Sequence, residues 1–162
     1  MEEGRLAGAM LVVGLAAFMV GAVRWRFAYE GPQDTALPAI HADRKRRAWF
    51  HSWMIAGLMI ISAGLAGVAT VVDAGAARTL AVMCATAYSV GAVCWVVSLA
   101  FGLTVVPWDA ERAVADGRPP EAFAALDAAL GLAVPGRHQV AFYPPFWALT
   151  YPAVVGVTLL VR

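Results

Sequence analysis

Charge is what this sequence has least of. Only 14% of its 162 residues are Asp, Glu, Lys or Arg, against about 25% in a soluble domain, and lysine occurs once, at Lys45. Four stretches have no charged side chain at all, at 6–23, 48–72, 79–107 and 139–161. They and their connections occupy nearly all of the sequence, which leaves no room within it for a separate soluble domain. Also missing are a Walker loop, GxSxG, HExxH and CxxC. Cysteine is confined to Cys84 and Cys94, and ten residues of helix would hold them about 15 Å apart. A disulfide needs Cα atoms within about 7 Å, so the two read as small apolar packing residues. The net charge of +1 gives no electrostatic footprint for nucleic acid.

What is present is hydrocarbon: 61% of the residues are hydrophobic and the mean hydropathy is +0.70. A bilayer core takes about 20 apolar helical residues to cross. The charge-free stretches therefore predict spans at about 6–23, 48–72, 79–106 and 145–161, forming an all-α, integral membrane four-helix bundle. The first begins MEEGR, acidic where a signal peptide is basic, and reads as a retained span.

The connections carry the polar residues. Asp34 or Thr35 can cap a helix with Pro38 near its first turn, running through Arg44–Arg47 directly into the second span. Asp73 to Arg78 is a short link that makes spans two and three an antiparallel hairpin. The third connection, from Trp108 to His138, opens with an acidic-basic segment. It then predicts an amphipathic surface helix at 121–134, with Phe123, Leu126, Leu130 and Val134 on one face. Nine Arg or Lys flank the two long connections and three lie on the other side, which places the long connections, and that surface helix, in the cytoplasm. Both termini are then outside the cell membrane.

Candidate functional residues are few. No carboxylate or cationic base lies at depth in a span, where one usually marks transport or a proton relay. Of the three histidines only His51 is inside a span. His41 and His138 offer it no ligand spacing, so no metal or haem is expected. Tyr88 and Trp95 lie seven residues apart on one face of the third span and, with His51, are the candidate lining for an apolar ligand. Arg44, Lys45, Arg46 and Arg47 are candidate contacts for lipid headgroups. Ala63, Gly67, Ala81, Ala85 and Ser89, like Gly14, Ala17 and Gly21 of the first span, offer small side chains for close helix packing. Trp49, Trp53, Trp108 and Trp147 fall at span ends, as an aromatic belt does.

The segments PWDAERAVADGRPPEAF, RRAWFHSW and PPFWALTYPAVVGVTLLVR resemble those of uncharacterised polytopic membrane proteins common in high-GC Gram-positive bacteria. The resemblance implies a fold type and no catalytic residues. The leading expectation is a non-enzymatic membrane protein, an accessory or assembly subunit that packs against another membrane protein or its own copies. A binding protein for a lipid or quinone at His51, Tyr88 and Trp95 is the first alternative. A histidine-dependent redox or metal membrane enzyme is the second.

Overall fold

The computed structural model describes residues 2–24 and 33–117. The predicted surface helix at 121–134 and the predicted span at 145–161 lie outside them. Among the described residues there is no strand, and the elements run α1 (Glu2–Ala22), α2 (Gln33–Ala42), α3 (Arg44–Val71), α4 (Ala76–Leu103) and α5 (Val105–Asp116). Three helical segments are long and apolar enough to cross a membrane: α1, α3, and α4 with its continuation α5.

Local chemistry sets the ends. Glu2 and Glu3 occupy the first turn of α1, where negative charge complements the helix dipole. The α3–α4 link turns at Gly75, whose φ of +117° is a backbone state closed to most L-residues. Arg78 then reaches back across the link, its Nε donating to the Val72 carbonyl at 2.9 Å, a cation at the carboxyl end of α3. α4 stops at Thr104 because Pro107 has no N–H for the Leu103 carbonyl. Thr104 closes the helix with its own groups, as both its N–H and its hydroxyl donate to the Ala100 carbonyl, at 3.1 and 2.8 Å.

Two expectations about the connections change. The helix before the second span is separate from it, with a turn at Asp43 (φ −98°, ψ 13°). Hydrogen bonds still cross that turn, from Asp43 N–H to Ala39 O and from Arg47 N–H to Asp43 O. The turn lets Ala36, Leu37 and Ile40 of α2 join a core cluster with Val106 and Ala110 of α5. The acidic-basic segment after the third span is itself helical, as α5.

The long helices pack on faces with a repeat close to 3.5 residues. On α4 the buried line is Ala81, Cys84, Ala85, Tyr88, Gly91, Ala92, Trp95, Ser98, Leu99 and Gly102. Antiparallel α1 and α3 meet backbone to backbone through glycines. A Cβ placed on Gly57 would stand 2.5 Å from the Phe18 nitrogen and 2.7 Å from the Gly14 oxygen. One on Gly21 would stand 2.5 Å from the Phe50 oxygen. Gly64 lies against Leu11, and Gly67 against Ala7. Phe18 reaches across to α4, where its ring meets Trp95 edge-on with centroids 5.1 Å apart.

The structure distributes the five candidate packing residues unevenly. Ala81 and Ala85 are buried between the chain's own helices, Gly67 and Ser89 are half-buried, and Ala63 is exposed. The glycines that bring α3 closest to α1 are Gly57 and Gly64, which the sequence reading did not single out.

Candidate functional site

Where α2 and α5 meet the long helices, four polar side chains are buried: Arg47 at 2%, His51 at 0%, Ser98 at 1% and Asp109 at 0% exposure. Arg47 and His51 are one turn apart on the inner face of α3, whose buried line runs Arg47, Phe50, His51, Met54, Gly57 and Leu58. His51 fits because Gly102 on α4 has no side chain, and a Cβ there would collide with the imidazole Nε2. The His51 Nδ1 lies 2.8 Å from the Arg47 carbonyl oxygen. A carbonyl only accepts, so Nδ1 carries a hydrogen. The Arg47 guanidinium carbon stands 5.9 Å from the Phe50 ring centroid, a cation over an aromatic face.

Ser98 is one turn before Gly102. Serine and threonine hydroxyls elsewhere in these helices fold back onto a carbonyl of the preceding turn, as at Ser52, Ser62 and Thr79. Among the described residues the Ser98 hydroxyl has no hydrogen-bond partner. Asp109 is buried on α5 beside Val106 and Ala110.

This layer contains two residues that the sequence placed in polar connections. Asp109 is buried on α5. Arg47 is turned into the core, so the basic run presents Arg44 and Lys45 fully and Arg46 partly to the surroundings. The signal for Asp109 was in the sequence: Val106, Asp109, Ala110 and Ala113 form a helical stripe in which the aspartate replaces an apolar residue.

The three candidate ligand residues are all buried and lie at different levels of the bundle. Tyr88 and Trp95 lie on one line of α4, and His51 sits against Gly102 farther along it. Fourteen residues of α4 separate Tyr88 from Gly102, which is about 21 Å of helix. Among the described residues no group of three or more His, Cys, Asp or Glu could hold a metal ion.

An acid on α5 with a guanidinium and an imidazole on α3, all enclosed, can bind α5 to the long helices through polar contacts that tolerate few other arrangements. The fit of His51 into the Gly102 notch is testable. Gly102→Ala is expected to destabilise the protein by about 1–3 kcal/mol, the usual range for overpacking. The penalty should shrink in a His51→Ala background, where the imidazole is gone. Thermal unfolding of the four variants in detergent measures this, and an equal penalty in both backgrounds would place the clash elsewhere.

Compared with known protein families, curated proteins and solved structures, the chain has no match.

Proposed function

We propose that this chain is a multi-pass protein of the cell membrane that works as an accessory or assembly subunit, docking by helix packing onto another membrane protein or a second copy of itself. The outer face of α3 carries this reading. Ser52, Ala56, Ala63, Ala66 and Thr70 are exposed there, at helical spacing and away from the other described helices. The Ser52 and Thr70 hydroxyls donate to Ala48 O and Gly67 O at 2.8 and 2.7 Å, so the face presents little free hydrogen-bonding capacity to hydrocarbon. Small side chains let a second helix come close, and close packing is what joins helices in lipid.

Ala63 separates docking from folding. In lipid nanodiscs, Ala63→Leu is expected to weaken crosslinked association about tenfold, equivalent to about 1.4 kcal/mol, with thermal stability unchanged. Ala85→Leu enlarges a side chain buried within the chain and should lower stability itself. Unchanged association in Ala63→Leu, or a strictly monomeric protein that captures nothing, would reject the subunit reading. A lipid or quinone that co-purifies would favour the apolar-ligand alternative, and a Soret band lost in His51→Ala the redox one.

Membrane insertion is supported by the large apolar side chains turned outward, among them Val12, Val13, Leu15, Val82, Met83 and Val93. A surface this apolar calls for lipid or protein around it. The nine-to-three division of basic residues puts α2 and α5 on the cytoplasmic side and the start of α1 outside. In a background lacking Cys84 and Cys94, a cysteine at the exposed position Ala115 is expected to react with a membrane-impermeant maleimide after lysis and not in intact cells. Reaction in intact cells would invert the topology.

A further inference from the structure

We propose that Arg24, Arg46 and Trp49 form a seat for the phosphodiester headgroup of an anionic phospholipid. The three residues line an open hollow of about 360 Å³ between the end of α1 and the start of α3. The helix crossing creates it. Gly21 lies against the Phe50 carbonyl, so α1 ends beside the first turns of α3, and Arg24 follows three residues later with its N–H bonded to Gly21 O at 3.1 Å. The Arg24 guanidinium carbon then stands 6.0 Å from the Trp49 ring centroid, while Arg46 approaches from α3. Two guanidiniums, one from the turn after α1 and one from α3, thus border one opening, and among the described residues no ion pair neutralises either.

The order of residues along α3 matches the order of groups along a phospholipid. Arg46, Trp49 and Trp53 fall on one helical stripe, with the two indoles edge-to-face at 6.0 Å and each more than 40% exposed. The stripe continues into Ala56 and Ile60. A guanidinium takes a phosphate oxygen pair through two parallel N–H donors. Indoles favour the level between headgroup and acyl chain, and the apolar continuation offers a surface for the chain itself. A free phosphate would use the first of these features and none of the others. Among the described residues the opposite end of the bundle lacks the arrangement: Arg78 also lines a hollow, but its guanidinium donates to the Val72 carbonyl. Lipid headgroups had been expected along the whole run from Arg44 to Arg47. The structure withdraws Arg47 and brings in Arg24, which is distant in sequence.

This inference rests on the membrane reading, which fractionation of the wild-type protein tests separately. Native mass spectrometry of the detergent-purified chain, offered equal phosphatidylglycerol and phosphatidylcholine, is expected to show preferential retention of phosphatidylglycerol. Arg24→Gln and Arg46→Gln should each reduce that preference about fivefold, and Arg44→Gln less than twofold. Inorganic phosphate at millimolar concentration should not displace the lipid. Equal losses in all three variants would mean diffuse attraction to a basic surface and overturn the seat. Displacement by inorganic phosphate would assign the hollow to a free anion and overturn it as well. A wild-type protein found in the soluble fraction would reject the membrane reading instead.

Discussion

Asp109→Ala is expected to cost about 3–5 kcal/mol of folding stability, and Arg47→Ala a similar amount. Each would leave behind a buried polar layer with one charge partner removed, which is the costly way to disturb such a layer. Both side chains are enclosed at the same end of the bundle, and they bring opposite charge from α3 and α5. Their removal together should therefore cost less than the sum of the single losses, and Arg47→Met with Asp109→Leu should recover much of the stability. Chemical unfolding in mixed micelles, followed by tryptophan fluorescence, gives the four free energies of the cycle. Strict additivity would show that the two do not compensate each other. The half-buried Asp43, one turn before Arg47, would then be the next partner to test. The cost should be local in character, with α5 and the α2 helix packed on it detaching before the long helices separate, because Asp109 is the buried polar side chain that α5 contributes.

The second large effect belongs to the glycine contact between α1 and α3. Gly57→Leu is expected to separate the two helices and abolish the folded arrangement, and Gly57→Ala to cost about 3 kcal/mol, the upper part of the overpacking range. The atoms in the way are the Phe18 nitrogen and the Gly14 carbonyl oxygen, and backbone cannot move aside as a side chain can. Gly8→Ala is the contrast. Nothing lies within 4 Å of its added Cβ, so the variant should match or slightly exceed wild type, since alanine favours helix by up to about 1 kcal/mol over glycine. Cysteine crosslinking between positions 7 and 67, where Ala7 and Gly67 adjoin, follows the contact directly. Retained crosslinking in Gly57→Leu would show that α1 is held by something other than this close approach.

Much of this was legible in the sequence because it is local. A run of 18 or more residues without charge, rich in Ala, Val and Leu, has few ways to satisfy its backbone except as a helix, and α1, α3 and α4 follow the charge-free runs closely. The hairpin at Asp73–Arg78 and the helix beginning near Asp34 were equally local. On α4 the spacing of Tyr88 and Trp95 marked one face, and both are buried, whereas of the small residues Ala81, Ala85 and Ser89 the last is only half-buried. The helix at 105–116 was missed because its charges drew attention to solvent, although its apolar stripe was intact.

What only the tertiary structure decided is which way each helix turns. Successive residues on a helix point about 100° apart, so the four bases at 44–47 face around the whole circumference. Once Phe50, Met54 and Gly57 are committed to the core, one of the four must point inward, and that one is Arg47. The same rotation leaves Ala63 outside and brings Gly64 against Leu11, one residue away from the small side chain that the sequence made prominent. Composition determined that these segments are helices suited to hydrocarbon. The identity of the neighbouring helix determined which side chains are enclosed, because burial is a property of the facing surface and not of the residue alone.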